Sequence, residues 1–94
     1  MSFSINFTSK FKKDYKKYQN DSKKLREIQK TIILLSQNGT SAIPNKMKPH
    51  RLIGNYKDNW ECHILNDLLL IWIEDEVNKE IDLVRLGTHS ELFK

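Results

Sequence analysis

Residues 60–86 read WECHILNDLLLIWIEDEVNKEIDLVRL, and the hydrophobic pattern of this stretch decides the fold. Trp60–Leu65 alternates: Trp60, Cys62 and Ile64 share one face, Glu61, His63 and Leu65 the other, which is the period of a strand. Leu68–Ile73 is apolar without a break and of strand length, as in a central strand covered on both faces. Ile81–Leu86 alternates more loosely. Asn66-Asp67 reads as a tight turn between the first two runs, and Glu74–Lys79 (EDEVNK) as the connection between the last two. Three strands joined in this way predict an antiparallel sheet.

Toward the C-terminus, Thr88 is followed three residues later by Glu91, a capping-box spacing that predicts a short terminal helix. Toward the N-terminus, Thr40–Pro49 is rich in Ser, Asn, Pro and Lys and reads as a loop delivering His50-Arg51-Leu52. Gly54-Asn55 and Lys57-Asp58-Asn59 read as turns. Before the loop, Leu25, Ile28, Ile32 and Leu35 recur at helical spacing, widened by Ile33 and Leu34. Asp21 or Ser22 caps that helix and Gly39 ends it. An earlier helix, capped by Thr8 or Ser9, is expected to run to about Tyr18, with Phe11, Tyr15 and Tyr18 on one face. Ser2–Phe7 has the alternation of a short strand. The order β-α-α-β-β-β-α places residues 1–94 in one small α+β domain. Its expected core is Leu34, Leu35, Ile64, Leu69, Ile71, Trp72, Ile73, Leu83 and Leu86.

Charge is distributed unevenly. Residues 1–57 hold 13 Lys/Arg against 3 Asp/Glu, and residues 58–94 hold 3 against 9, within a net charge of +4. A basic half of this kind attracts a polyanion, and nucleic acid or an acidic protein satisfies it. The single cysteine, Cys62, excludes an internal disulfide and is expected to pack in the core. The N-terminal MSFSINFTSK has no signal-peptide core, and no apolar run approaches the roughly 20 residues of a membrane span. A soluble protein of the cytoplasm, with no membrane partner, is expected.

Chemistry is concentrated in His50, His63 and His89. Singly, each has a structural explanation as a loop, strand or cap residue. Together they offer groups that exchange protons near neutral pH, as cleavage of an RNA phosphodiester by its own 2′-hydroxyl requires. Their spacings match no compact metal-ligand pattern, and no HExxH motif or cysteine pair is present, so neither metal nor cofactor is expected.

The run HRLIGNYKDNWECHILNDLLLIW (residues 50–72), followed by LVRLGTHSELF (residues 83–93), resembles the YafQ branch of the RelE-like toxins. Its most specific elements are Cys62-His63-Ile64, an aspartate four residues after the histidine, and Gly87-Thr88-His89 leading to Leu92-Phe93. The lysine-rich FKKDYKK segment and the leucine-rich second helix extend the similarity over essentially the whole chain. The resemblance implies a microbial-ribonuclease-like fold, with two helices packed on a twisted antiparallel sheet. It implies metal-independent, ribosome-dependent cleavage of mRNA, with a cognate antitoxin, the 70S ribosome and mRNA as partners. On the matching positions, His50, His63, Asp67 and His89 are the catalytic candidates. Asp67 or a histidine would be the base and His89 the acid, while His50 and His63 contact the scissile phosphate. Phe93 would stack or pack against a substrate nucleotide, and Arg85 would clamp phosphate. The chain departs from the branch at Leu68, where an aromatic is expected, and in having Asn66 rather than a proline-containing turn before Asp67. Two other functions stay open at this point: gyrase poisoning in the manner of ParE-like toxins, and RNA binding without catalysis.

Overall fold

The computed structural model describes residues 2–93. Strand β1 (Ser4–Phe7) leads into helix α1 (Ser9–Lys16) and then helix α2 (Ser22–Asn38). Short 3-10 turns carry the chain to strand β2 (His50–Arg51). Strands β3 (Trp60–Leu65), β4 (Leu68–Asp75) and β5 (Glu80–Gly87) follow, and helix α3 (His89–Leu92) completes the order. The five strands form one sheet in the order β1-β5-β4-β3-β2, so β4 is central.

The expected caps are present. Thr8 accepts from the Phe11 N–H at the start of α1, and Asp21 accepts from the Lys24 N–H at the start of α2. Thr88 and Glu91 form the reciprocal capping box of α3. Helix α1 ends at Lys16, short of the expected Tyr18, because the N–H groups of Lys17, Tyr18 and Gln19 turn back to Asp14, Tyr15 and Lys16 in tighter turns. Tyr18 is buried all the same.

The meander β3-β4-β5 is antiparallel as expected, but β1 pairs with β5 in parallel. A hairpin forces antiparallel pairing. The long path from β1 through both helices imposes no such rule. The loose alternation of residues 81–86 also has a cause. The register shifts between Ile71 and Trp72, passing from Arg85 to Leu83, so Val84 is the extra residue of a bulge.

Leu68, Leu70 and Trp72 of β4 pack with Phe11, Ile28 and Leu35 beneath the two helices. Leu69 and Ile71 point the other way and pack with Leu92, Leu52, Tyr56 and Val84. Two of the expected core residues differ: Leu34 is only half-buried against the main core, and Ile73, toward the far end of β4, is 40% exposed. Gly39, at φ 68°, is required where α2 ends. A Cβ there would stand 2.7–2.9 Å from Glu74 and the Phe3 ring. Thr40 is then fastened by its N–H and hydroxyl to Glu74 Oε1 (2.6 Å each) and accepts from Trp72 Nε1 at 2.9 Å. This anchor sets where the loop toward His50 leaves the core. Among the described residues no helix is long and apolar enough to cross a membrane.

Candidate active site

The sheet face opposite the main core carries the candidate residues in two groups. The first is built on β2 and β3. His50 pairs with Glu61 across the edge of the sheet, and its Nε2 stands 3.1 Å from Glu61 Oε1. Its Nδ1 donates to the Lys48 carbonyl at 2.7 Å, since a carbonyl oxygen can only accept. Lys48 adopts φ 53°, a left-handed conformation that lies next to this contact. Both ring nitrogens of His50 are therefore engaged by protein. Glu61 is 3% exposed, and its Oε2 has no hydrogen-bond partner among the described residues. The His63 ring lies 6.3 Å from that of His50. It is half-buried and makes no hydrogen bond with the described residues, and a register irregularity lies between it and Leu65.

The second group is built on the β3–β4 turn, β5 and α3. Asp67 Oδ1 accepts from the backbone N–H of His89 at 2.9 Å, so the turn holds the start of α3. The His89 ring packs against Phe93 at 5.1 Å, and Phe93 meets Tyr56 edge-on at 5.7 Å. Phe93 is 38% exposed. Arg85 faces inward: Nε and Nη2 donate to the two oxygens of Asp14 at 2.7 and 3.2 Å, and Nη1 to the Tyr56 hydroxyl at 3.4 Å. The Asp14 hydrogen bond holds the guanidinium pKa above its ordinary value. Three of its five N–H groups are thus occupied, leaving two for a phosphate.

The two groups meet along one row of the sheet. His63 pairs with Leu69 and Leu69 with Gly87, two residues before His89. Two interstrand spacings put the His63 and Gly87 backbones roughly 10 Å apart. His50 sits beyond His63 at the sheet edge. An open hollow of about 720 Å³ adjoins His63 and is lined by Lys23, Lys46 and Lys48. A smaller one of about 290 Å³ lies beside Arg85, among Lys10, Lys13 and Lys17. Cys62 lies on the core face, where burial and then the nearby Glu61 push its thiol pKa up to about 12, which makes it a poor nucleophile. No group of three or more His, Cys, Asp or Glu among the described residues is arranged to hold a metal ion.

The family described as bacterial toxin of type II toxin–antitoxin system, YafQ, matches residues 3–94. The chain belongs to the YafQ toxin family. The mRNA interferase toxin YafQ of Escherichia coli K12 is 30% identical over 89 residues, which span 95% of this chain and 94% of that protein. The crystal structure of YafQ from E. coli strain BL21(DE3) has a TM-score of 0.85 at 28% identity, covering 98% and 99% of the two chains. The E. coli DinJ–YafQ toxin–antitoxin complex gives 0.83 at 29% identity, covering all of both chains. The α+β fold expected from the sequence is that of these YafQ structures.

Within the YafQ pattern, three residues of the site escaped the sequence reading. Glu61 lies two residues before His63 on the same strand face, and that alternation was its signal. Asp14 is the one acid of the FKKDYKK helix, spaced three and four residues from the buried Phe11 and Tyr18. A lone carboxylate on a buried helix face needs a partner. Tyr56 sits in a turn and had no signal.

Proposed function

We propose that this YafQ-family toxin is a ribosome-dependent endoribonuclease that cleaves mRNA in the cytoplasm by acid–base catalysis. The observation that carries the reading is the row from His63 through Leu69 to Gly87, two residues before His89, with the His63 and Gly87 backbones roughly 10 Å apart; it supports a phosphodiester held between the two imidazoles. Neither ring makes a hydrogen bond with the described residues, whereas His50 is held at both nitrogens. His63 therefore takes the proton from the RNA 2′-hydroxyl, whose oxygen attacks phosphorus. His89 gives a proton to the departing 5′-oxygen, leaving a cyclic phosphate on one fragment and a 5′-hydroxyl on the other. RNA supplies the nucleophile and imidazoles move the protons, so these steps need no metal ion. Asp67 positions His89 through its backbone, His50 and Glu61 provide a fixed electrostatic edge, and Phe93 offers its exposed face to a base.

Binding by a cognate antitoxin is supported by the DinJ complex of the E. coli relative and by the surface of α1 and α2. An apolar groove of about 590 Å³ there exposes Phe7 (47%) and Ile33 (54%) beside Lys12 and Lys16, suiting an acidic amphipathic segment.

Mapping of mRNA 5′ ends after induction tests the reading, with His63→Ala and His89→Ala alongside. Cuts that fall on the order of 100-fold or more in each variant are expected. Growth arrest with intact mRNA and altered supercoiling would replace the nuclease with a gyrase poison.

A further inference from the structure

The geometry points to a substrate subsite for an RNA phosphodiester and its base in the hollow formed by Lys23, Lys46 and Lys48 beside His63. The inference rests on the nuclease reading for the identity of its ligand and goes beyond it in naming the strand's path.

The first support is unneutralised charge. Lys17, Lys24, Lys30 and Lys79 each meet a carboxylate, at 2.7–3.8 Å. Lys23, Lys46 and Lys48 meet none among the described residues, yet they converge from α2 and the loop before β2 on one hollow with no acid in its lining. Lys23 sits in the first turn of α2, where the helix dipole disfavours a cation, and the Asp21 carboxylate that caps this end is engaged by Lys24. Three ammonium groups lining one hollow raise its affinity for an anion.

The second support is position. His63 lines the same hollow, with neither ring nitrogen hydrogen-bonded among the described residues, so a phosphate held by the lysines leads directly to the proposed proton-transfer group. The third is the lining: half-buried Met47 and Leu65 give an apolar surface for a base, and the Asn66 amide can meet its polar edge. The volume of about 720 Å³ lies within the 300–1,000 Å³ usual for small-ligand sites. Polypeptide carboxylates would meet the lysines too, but would leave the open imidazole without a role.

The test uses a single-stranded RNA oligonucleotide with 2′-O-methyl riboses, which binds but cannot be cut. Fluorescence anisotropy at several salt concentrations compares the wild type with Lys23→Gln/Lys46→Gln/Lys48→Gln, and with Lys12→Gln/Lys16→Gln, which line a separate groove. All five lysines are exposed, and the thermal midpoint checks that each variant folds. The triple variant is expected to flatten the log–log salt dependence by about 2, at roughly 0.7 per single-strand phosphate, and to weaken low-salt binding on the order of 10-fold. The double variant is expected to change little. An unchanged slope, an equal loss in the double variant, or a loss confined to antitoxin binding overturns the subsite. Failure of the two readings is separable. RNA cuts made at the wild-type KM by the triple variant sink the subsite alone. Lysine-dependent binding without any cut sinks the nuclease alone.

Discussion

Strand β4 is buried on both faces, and the two faces are covered by different means. On one, Leu68, Leu70 and Trp72 lie beneath helices of 8 and 17 residues. On the other, Leu69 and Ile71 are closed over by Leu52, Tyr56, Val84 and the four-residue helix bearing Leu92. The pieces that close the second face also carry His89, Phe93 and Tyr56. Stability is thus concentrated on the face with continuous helical cover. The candidate chemistry stands on the face whose cover is short, local and tied down by caps. A site of this kind can tolerate polar groups and adjust to a ligand without opening the main core.

The largest effect is expected from the helix-covered face. Trp72→Ala removes the largest fully buried side chain and its hydrogen bond to Thr40, and is expected to cost about 3–5 kcal/mol. Chemical denaturation reads this as a shift in midpoint; a loss below about 1 kcal/mol would break the comparison. Asp14→Ala comes next, because Asp14 links the two faces. It leaves Arg85 and the Leu86 N–H without their carboxylate and is expected to cost roughly 3 kcal/mol, the low end for a buried pair, since Arg85 is partly solvated. Tyr56 and Phe93 should loosen with it, visible as increased mobility of those ring resonances by NMR. Glu91→Gln should be the smallest and confined to α3. The Thr88 N–H holds the Glu91 carboxyl below its ordinary value of 4.5, followed by a bond from the Thr88 side chain and the nearby Lys17. A lowered carboxyl stabilises the fold above pH 4.5 and loses that contribution as pH falls through its folded value. The wild type should therefore protect the Leu92 and Phe93 amides better than the variant at neutral pH, with the difference vanishing in acid. A difference that grows in acid contradicts the assignment.

Much of this division was already legible in the chain. The unbroken run at Leu68–Ile73 announced a central strand, and Leu69 and Ile71 are indeed covered from the second side. Thr88 and Glu91 announced α3, and the Gly87-Thr88-His89 and Cys62-His63-Ile64 motifs pointed to the family. Arg85 was read from the sequence as a phosphate clamp and not as a partner of Asp14, 71 residues away. Nothing local to either residue foretold that pairing. The parallel pairing of β1 escaped for a similar reason, since strand direction after a long crossover leaves no pattern in the strand itself.

By itself, the sequence determined the elements, their caps and the alternation that sorts each strand into two faces, because those depend on residues within a turn or two of one another. Only the tertiary structure decided which imidazole is bound and which is open, which carboxylate holds Arg85, and which three lysines share a hollow. Those outcomes depend on distant segments brought side by side by burial of the core, and one lysine or histidine reads like another before that packing occurs.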